Sequence, residues 1–155
     1  SNLVYNGEAE FSADYTQTEL AAAITAGEFV FHKVGDEIRV LSDINSLTTT
    51  TETKGEDFKS NQTIRVIDQI ATDLAKIFCK SYIGKIQNNA SGRVAYWSEI
   101  VQHHKQLEQL GALEDFDSAN VSVDAVSSDK KAVSVTDGVN VVNAMEKLYM
   151  TVTVA

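Results

Sequence analysis

The stretch NQTIRVIDQIATDLAKIFCKSYIG, residues 61–84, decides how this chain is read. Ile64, Ile67, Ala71, Leu74, Phe78 and Tyr82 recur at steps of three or four, the spacing that gathers side chains on one side of an α-helix. Ser60 or Asn61 can cap its start, and Gly84 closes it. The opposite side is polar, with Arg65, Gln69, Thr72, Lys76 and Lys80 in a single stripe. A long amphipathic helix is therefore expected.

A second helix is expected from about Gly92 to Leu110, burying Val94, Trp97, Val101, His104 and Leu107 and ending at Gly111. Beyond it the period changes to two. Val121, Val123 and Ala125 alternate, Ser127 to Lys130 make a turn, and Val133 and Val135 begin a return strand. Residues 138–146 are ambiguous between the two periods. The final run, Leu148, Tyr149, Met150, Thr151, Val152, Thr153, Val154 and Ala155, alternates again, and a strand of this kind must find a neighbour in its own domain or in another copy.

Upstream, Leu3 to Phe11 reads as an opening strand. Thr16-Gln17-Thr18-Glu19 is a capping-box pattern leading into a short helix that stops at Gly27. Phe29 to Val34 and Glu37 to Leu41 flank Gly35-Asp36 as a hairpin, although the dipeptide is reversed from the favoured order. A polar loop from Ser42 to about Lys59 follows, long enough to suggest function or motion. Strands, two helices and strands again predict an α+β domain, a largely antiparallel sheet with two long amphipathic helices on one face.

The 155 residues suffice for one domain with its own core, and the apolar content of 43% and charged content of 23% are ordinary for a globular chain. Ser1-Asn2 resembles the remnant of tag removal, so an excised piece of a longer protein is expected. Charge is blocked rather than mixed. Residues 1–57 carry eleven acids against three bases, residues 58–105 seven bases against three acids, and the whole chain is −9. That balance argues against coating nucleic acid, which needs a dominant positive surface, and the short apolar runs argue against a membrane span.

No constellation of catalytic residues emerges. Cys79 is the sole thiol, and a cysteine nucleophile would need His103 or His104 beside it. His104 falls among apolar positions as a packed residue, while Cys79 lies at the margin of its helix's apolar side, where a buried, inert thiol is the commoner case. Adjacent histidines project about 100° apart on a helix and cannot share an ion. Carboxylate pairs Glu56-Asp57 and Glu114-Asp115 fall in expected loops as solvated turns. Nothing matches a phosphate loop, a nucleophile elbow or a dinucleotide fingerprint. No enzyme, cofactor or metal is expected.

Four ordered blocks carry a resemblance. Asp43 to Thr49 through Lys54-Gly55 to Ile64 to Ile70, then Tyr82 to Lys85, then Asn89 to Arg93 with Trp97, then Ala144 to Val152, together resemble the C-terminal domain of bacteriophage contractile tail sheath proteins, most of all those of Gram-positive phages and phage-derived tail particles. The likeness spans about Glu28 to Ala155, departing from the family pattern at Thr50 and Cys79. It implies a single C-terminal domain of a longer structural subunit, without cofactor or catalytic residue. It also implies stacked hexameric rings of copies around a tail tube protein, and contraction that drives the tube through a bacterial envelope. The implied place is the virion tail sheath, assembled in the host cytoplasm, with neither nucleic acid nor membrane as partner.

Carried onto this sequence, the resemblance makes residues 147–155, and Leu148 to Val154 in particular, the candidate strand linking subunits. It makes Arg65, Lys76 and Lys80 the candidate tube-facing basic stripe. An internal core strand is the competing reading of the first, and a solvated helix face that of the second. The competing function is a monomeric module that captures a peptide along an exposed sheet edge.

Overall fold

A computed structural model describes residues 1–10 and 12–154. The chain divides into two compact units: residues 1–64 with 143–155, and residues 65–142. Phe11 and Ala155, the last residues of two expected strands, lie outside the described residues.

In the first unit, helix α1 (Gln17–Thr25) starts as expected from a capping box. The Thr16 side chain accepts from the Glu19 N–H, and the Glu19 carboxylate accepts from the Thr16 N–H at 2.8 Å. Its exit turns through Gly27 at φ +72°, where an added Cβ would also lie 3.1 Å from the Ser46 backbone, so glycine is needed there. Strands β1 (Phe31–Val34) and β2 (Glu37–Val40) form the hairpin, with Phe31 opposite Val40 and Val34 opposite Glu37. Gly35 has φ +61° and Asp36 is not left-handed, which suits a turn whose first central residue is glycine. That explains why the reversed dipeptide works.

The opening strand is much shorter than expected. Among the described residues only 2–5 run beside β2, through an isolated bridge of Val4 to Arg39 and the hydrogen bonds Val40 N–H to Leu3 O and Tyr5 N–H to Ile38 O. Asn6, Gly7 and Glu8 break the apolar pattern and are exposed. The 42–59 stretch is irregular, with a 3₁₀ turn at Glu56–Lys59.

The second unit holds the larger core, built on α2 (Asn61–Ser81) and α3 (Ala90–Gln109). Ser60 caps α2, its hydroxyl accepting from the Thr63 N–H. The buried arc of α2 is shifted from expectation: Leu74, Phe78 and the following Tyr82 join the core as expected, but Ile70, Val66 and Ile77 join it too, and Ala71 is exposed. On α3 the arc is Tyr96, Ile100, Val101 and His104, with Ile100 and His104 fully buried, whereas Val94 is 60% exposed. Val94 lies only about 20° round the helix from Val101 but two turns nearer the N-terminus, and there that edge of the arc is left in water. The helix begins two residues earlier than read, because Asn89 Oδ1 accepts from the Gly92 N–H at 2.8 Å as its N-cap.

After α3, β3 (Leu113–Glu114) pairs with β6 (Asn140–Val141), and β4 (Val121–Ala125) pairs with β5 (Val133–Asp137) in the expected hairpin, Val123 opposite Val135. Glu114 thus belongs to a strand rather than a loop. The chain is α+β, and among the described residues every strand pair is antiparallel, but the strands form three two-stranded ribbons. Trp97 locks α3 to β4 by donating from Nε1 to the Val121 carbonyl at 2.9 Å.

Candidate functional site

The C-terminal segment is the most unusual feature of the first unit. Asn143 is held by three contacts: its Oδ1 accepts from Ser60 Oγ at 2.7 Å and from Thr63 Oγ1 at 3.4 Å, and its Nδ2 approaches Thr63 Oγ1 at 3.3 Å. Glu146 Oε2 accepts from Ser42 Oγ at 2.7 Å. The residues that cap α2 therefore also tie down the start of the segment. Nothing in sequence spacing pointed to Asn143, since its partners lie 80 and 83 residues away.

Beyond Glu146 the character changes. Leu148 is 85% exposed, Tyr149 89%, Met150 74%, Val152 73% and Val154 91%. Thr151 and Thr153 are exposed too. Among the described residues no strand is assigned after Val141, so this run joins no ladder of its own chain. An apolar run of this length left in water is costly, at about 25 cal/mol for each Å² of apolar surface left wet. Among the described residues its backbone makes no strand pairing, so both its edges are open to a partner strand.

The three cations of the proposed stripe are exposed on α2: Arg65, Lys76 and Lys80. Asp73 interrupts them. Its carboxylate lies 3.5 Å from Lys76 Nζ and accepts from Gln69 at 2.8 Å, and hydrogen bonding, chiefly from Gln69, holds it below the usual aspartate range. The stripe is thus a mixed-charge surface with a basic end at Lys76 and Lys80.

The histidines do not serve Cys79. His104 Nε2 meets Asp137 Oδ2 at 2.7 Å, the two Nδ1 atoms of His103 and His104 lie 3.2 Å apart, and His103 Nε2 faces Asp73 Oδ2 at 3.4 Å. All four ring nitrogens are engaged by each other and by carboxylates. Cys79 itself is exposed, not at a buried margin as read. Among the described residues no group of three or more His, Cys, Asp or Glu side chains is placed to hold a metal ion, and no helix is long and apolar enough to cross a membrane.

Known proteins place this arrangement. The model of the phage tail sheath C-terminal domain family matches residues 53–155. A tail sheath protein of Clostridium phage phiCD119 is 32% identical over 97 residues, covering 63% of this chain and 26% of its own length. The crystal structure of a sheath tail protein from Desulfitobacterium hafniense is 36% identical, with a TM-score of 0.76 over 88% of this chain and 31% of that one. A sheath tail protein from Listeria innocua shares the fold, with a TM-score of 0.78 over 97% of this chain and 36% of that one, at 24% identity. The chain spans about a third or less of the length of the curated relatives it matches, 34%, 26% and 34%. With the matched region covering α2, α3 and the ribbons that follow, this chain belongs to the phage tail sheath family, through its C-terminal domain.

Proposed function

We propose that this chain is the C-terminal part of a sheath subunit that polymerises with other copies in stacked hexameric rings around a tail tube, and contracts to drive the tube through a bacterial envelope. The observation that carries the reading is the exposed alternating run Leu148–Val154, which has no strand partner among the described residues. Added to the sheet of a second copy, it would bury its apolar side and satisfy its backbone in one step. Contraction then needs no nucleotide, because tighter burial and better charge pairing in a shorter stack supply the driving force. Assembly would take place in the host cytoplasm, and the product would be the virion tail sheath.

The test is electron microscopy of the full-length subunit with and without residues 148–155. Tubes or rings formed by the intact protein and lost on truncation, with the folded domain unchanged by circular dichroism, are expected. Normal polymers from the truncated protein would remove the linking strand. Discrete monomers from the intact protein at high concentration would favour a peptide-capturing module instead.

A further inference from the structure

The second unit carries a groove of about 430 Å³. Phe78, Tyr82 and Tyr96 floor it as a cluster of rings with centroids 4.9 to 6.0 Å apart, and Ile83 and Ile86, 58% and 50% exposed, form an open apolar wall. Its rim is cationic: Arg93, Lys130 and Lys131 line it, and no acidic side chain does. That is unusual in a chain with 22 acids against 13 bases.

The rim is built, not accidental. Asn88 Nδ2 donates to the carbonyls of Lys130 at 3.0 Å and Ala132 at 2.9 Å, while its Oδ1 accepts from Arg93 Nη1 at 3.1 Å. One side chain thereby brings the β4–β5 turn and the start of α3 together. Gly92 permits the approach, since a Cβ there would stand 2.2 Å from the Gln87 carbonyl oxygen.

The first unit offers the complement. It carries twelve acids against five bases, whereas the second carries ten against eight. Around α1 lies a surface lined by Tyr15, Glu19 and Glu28 with no basic side chain; exposed Asp14 precedes Tyr15 in sequence and Phe29, 49% exposed, follows Glu28, while Tyr15 is 54% exposed. Exposed aromatics flanked by carboxylates suit an apolar floor with a cationic rim.

We infer that the basic groove of one copy receives the acidic, aromatic-bearing α1 surface of a second copy. The inference deepens the self-assembly reading and rests on it. Because the two surfaces differ, the contact is head to tail and leaves a free surface at each end, so it propagates rather than stopping at a dimer. It is independent of the C-terminal segment.

Sedimentation equilibrium of the 155-residue chain at low and moderate salt tests it. Open-ended, salt-sensitive association is expected for the wild type. Lys130→Glu with Lys131→Glu should weaken association about tenfold, the scale of two exposed ion pairs. Asp14→Lys with Glu28→Lys should do the same, and mixing the two reversed proteins should restore pairing between them. All four side chains are solvent-facing, so circular dichroism should show unchanged folding. A wild type that stays monomeric at low salt, reversals without effect, or failure of the mixture to pair would each overturn the inference. Removing residues 148–155 should leave this association intact, so loss of the linking strand and loss of this contact are read separately.

Discussion

Tyr82 shows how burial sets chemistry at a single residue. Its ring stacks on Phe78 and tilts against Tyr96, and its hydroxyl donates to Glu99 Oε1 at 3.1 Å. Burial first, then the hydrogen bond and charge of Glu99, push its pKa up to about 12. Tyr96 is raised as well, by burial and then by the charges of Glu99 and Asp137, while its hydroxyl donates to the Leu74 carbonyl at 3.1 Å. A raised folded pKa contributes stability that is complete below the unfolded value of about 10 and is lost as pH climbs through the folded value. The chain should therefore weaken between about pH 10 and pH 12. The ultraviolet difference titration of wild type against Tyr82→Phe should have its midpoint near 12, moving down in Glu99→Gln. A midpoint near 10 would mean that water reaches the hydroxyl freely.

At the scale of elements, α2 separates what periodicity can and cannot reveal. Its existence, length and cap were legible, because steps of three and four with a serine before and a glycine after leave little else. Its buried arc was legible only in part: Leu74, Phe78 and the following Tyr82 join the core as the spacing reads, while Ala71 does not and Ile70 does. Isoleucines occur at 64, 67, 70 and 77, so several apolar arcs are drawn by the same sequence, and contact with α3 selects the one through Ile70 and Leu74. On α3 the residues read from spacing, Trp97, Val101, His104 and Leu107, do pack inward, and Tyr96 and Ile100 join them. The polar stripe was legible for the opposite reason, as charge has one place to go. Lys76 is 69% exposed and its nearest carboxylate, Asp73, already accepts from Gln69. Lys76→Glu with Lys80→Glu should change folding stability by no more than about 0.5 kcal/mol. If this surface meets an acidic tube, the same double variant of the full-length subunit should fail to co-assemble with tubes while still folding. Sheaths of unchanged length on tubes would discard the proposed contact.

For the whole molecule, the sequence and the fold disagree most where a strand pattern lacks a sheet. The hairpins 31–40 and 121–137 were legible because both partners lie close in sequence, whereas β3 with β6 was not, two residues pairing with two across an α-carbon path of some 26 positions. The run 148–154 has a strand's alternation without a strand's neighbour among the described residues, and local pattern cannot say where a partner lies. Basing assembly on this run has a consequence at the level of single N–H groups. Successive residues of an extended strand point their N–H groups to opposite edges, and proline has none. Thr151→Pro and Val152→Pro therefore probe the two edges in turn. Neither should shift the thermal midpoint of the 155-residue chain appreciably, since both positions are exposed and in no strand pairing among the described residues. In the full-length subunit at least one of them should abolish polymers seen by electron microscopy, whereas Val152→Thr, which keeps the N–H and the β-branched shape, should not. Polymers that survive both prolines would show that this backbone is not what joins one copy to the next.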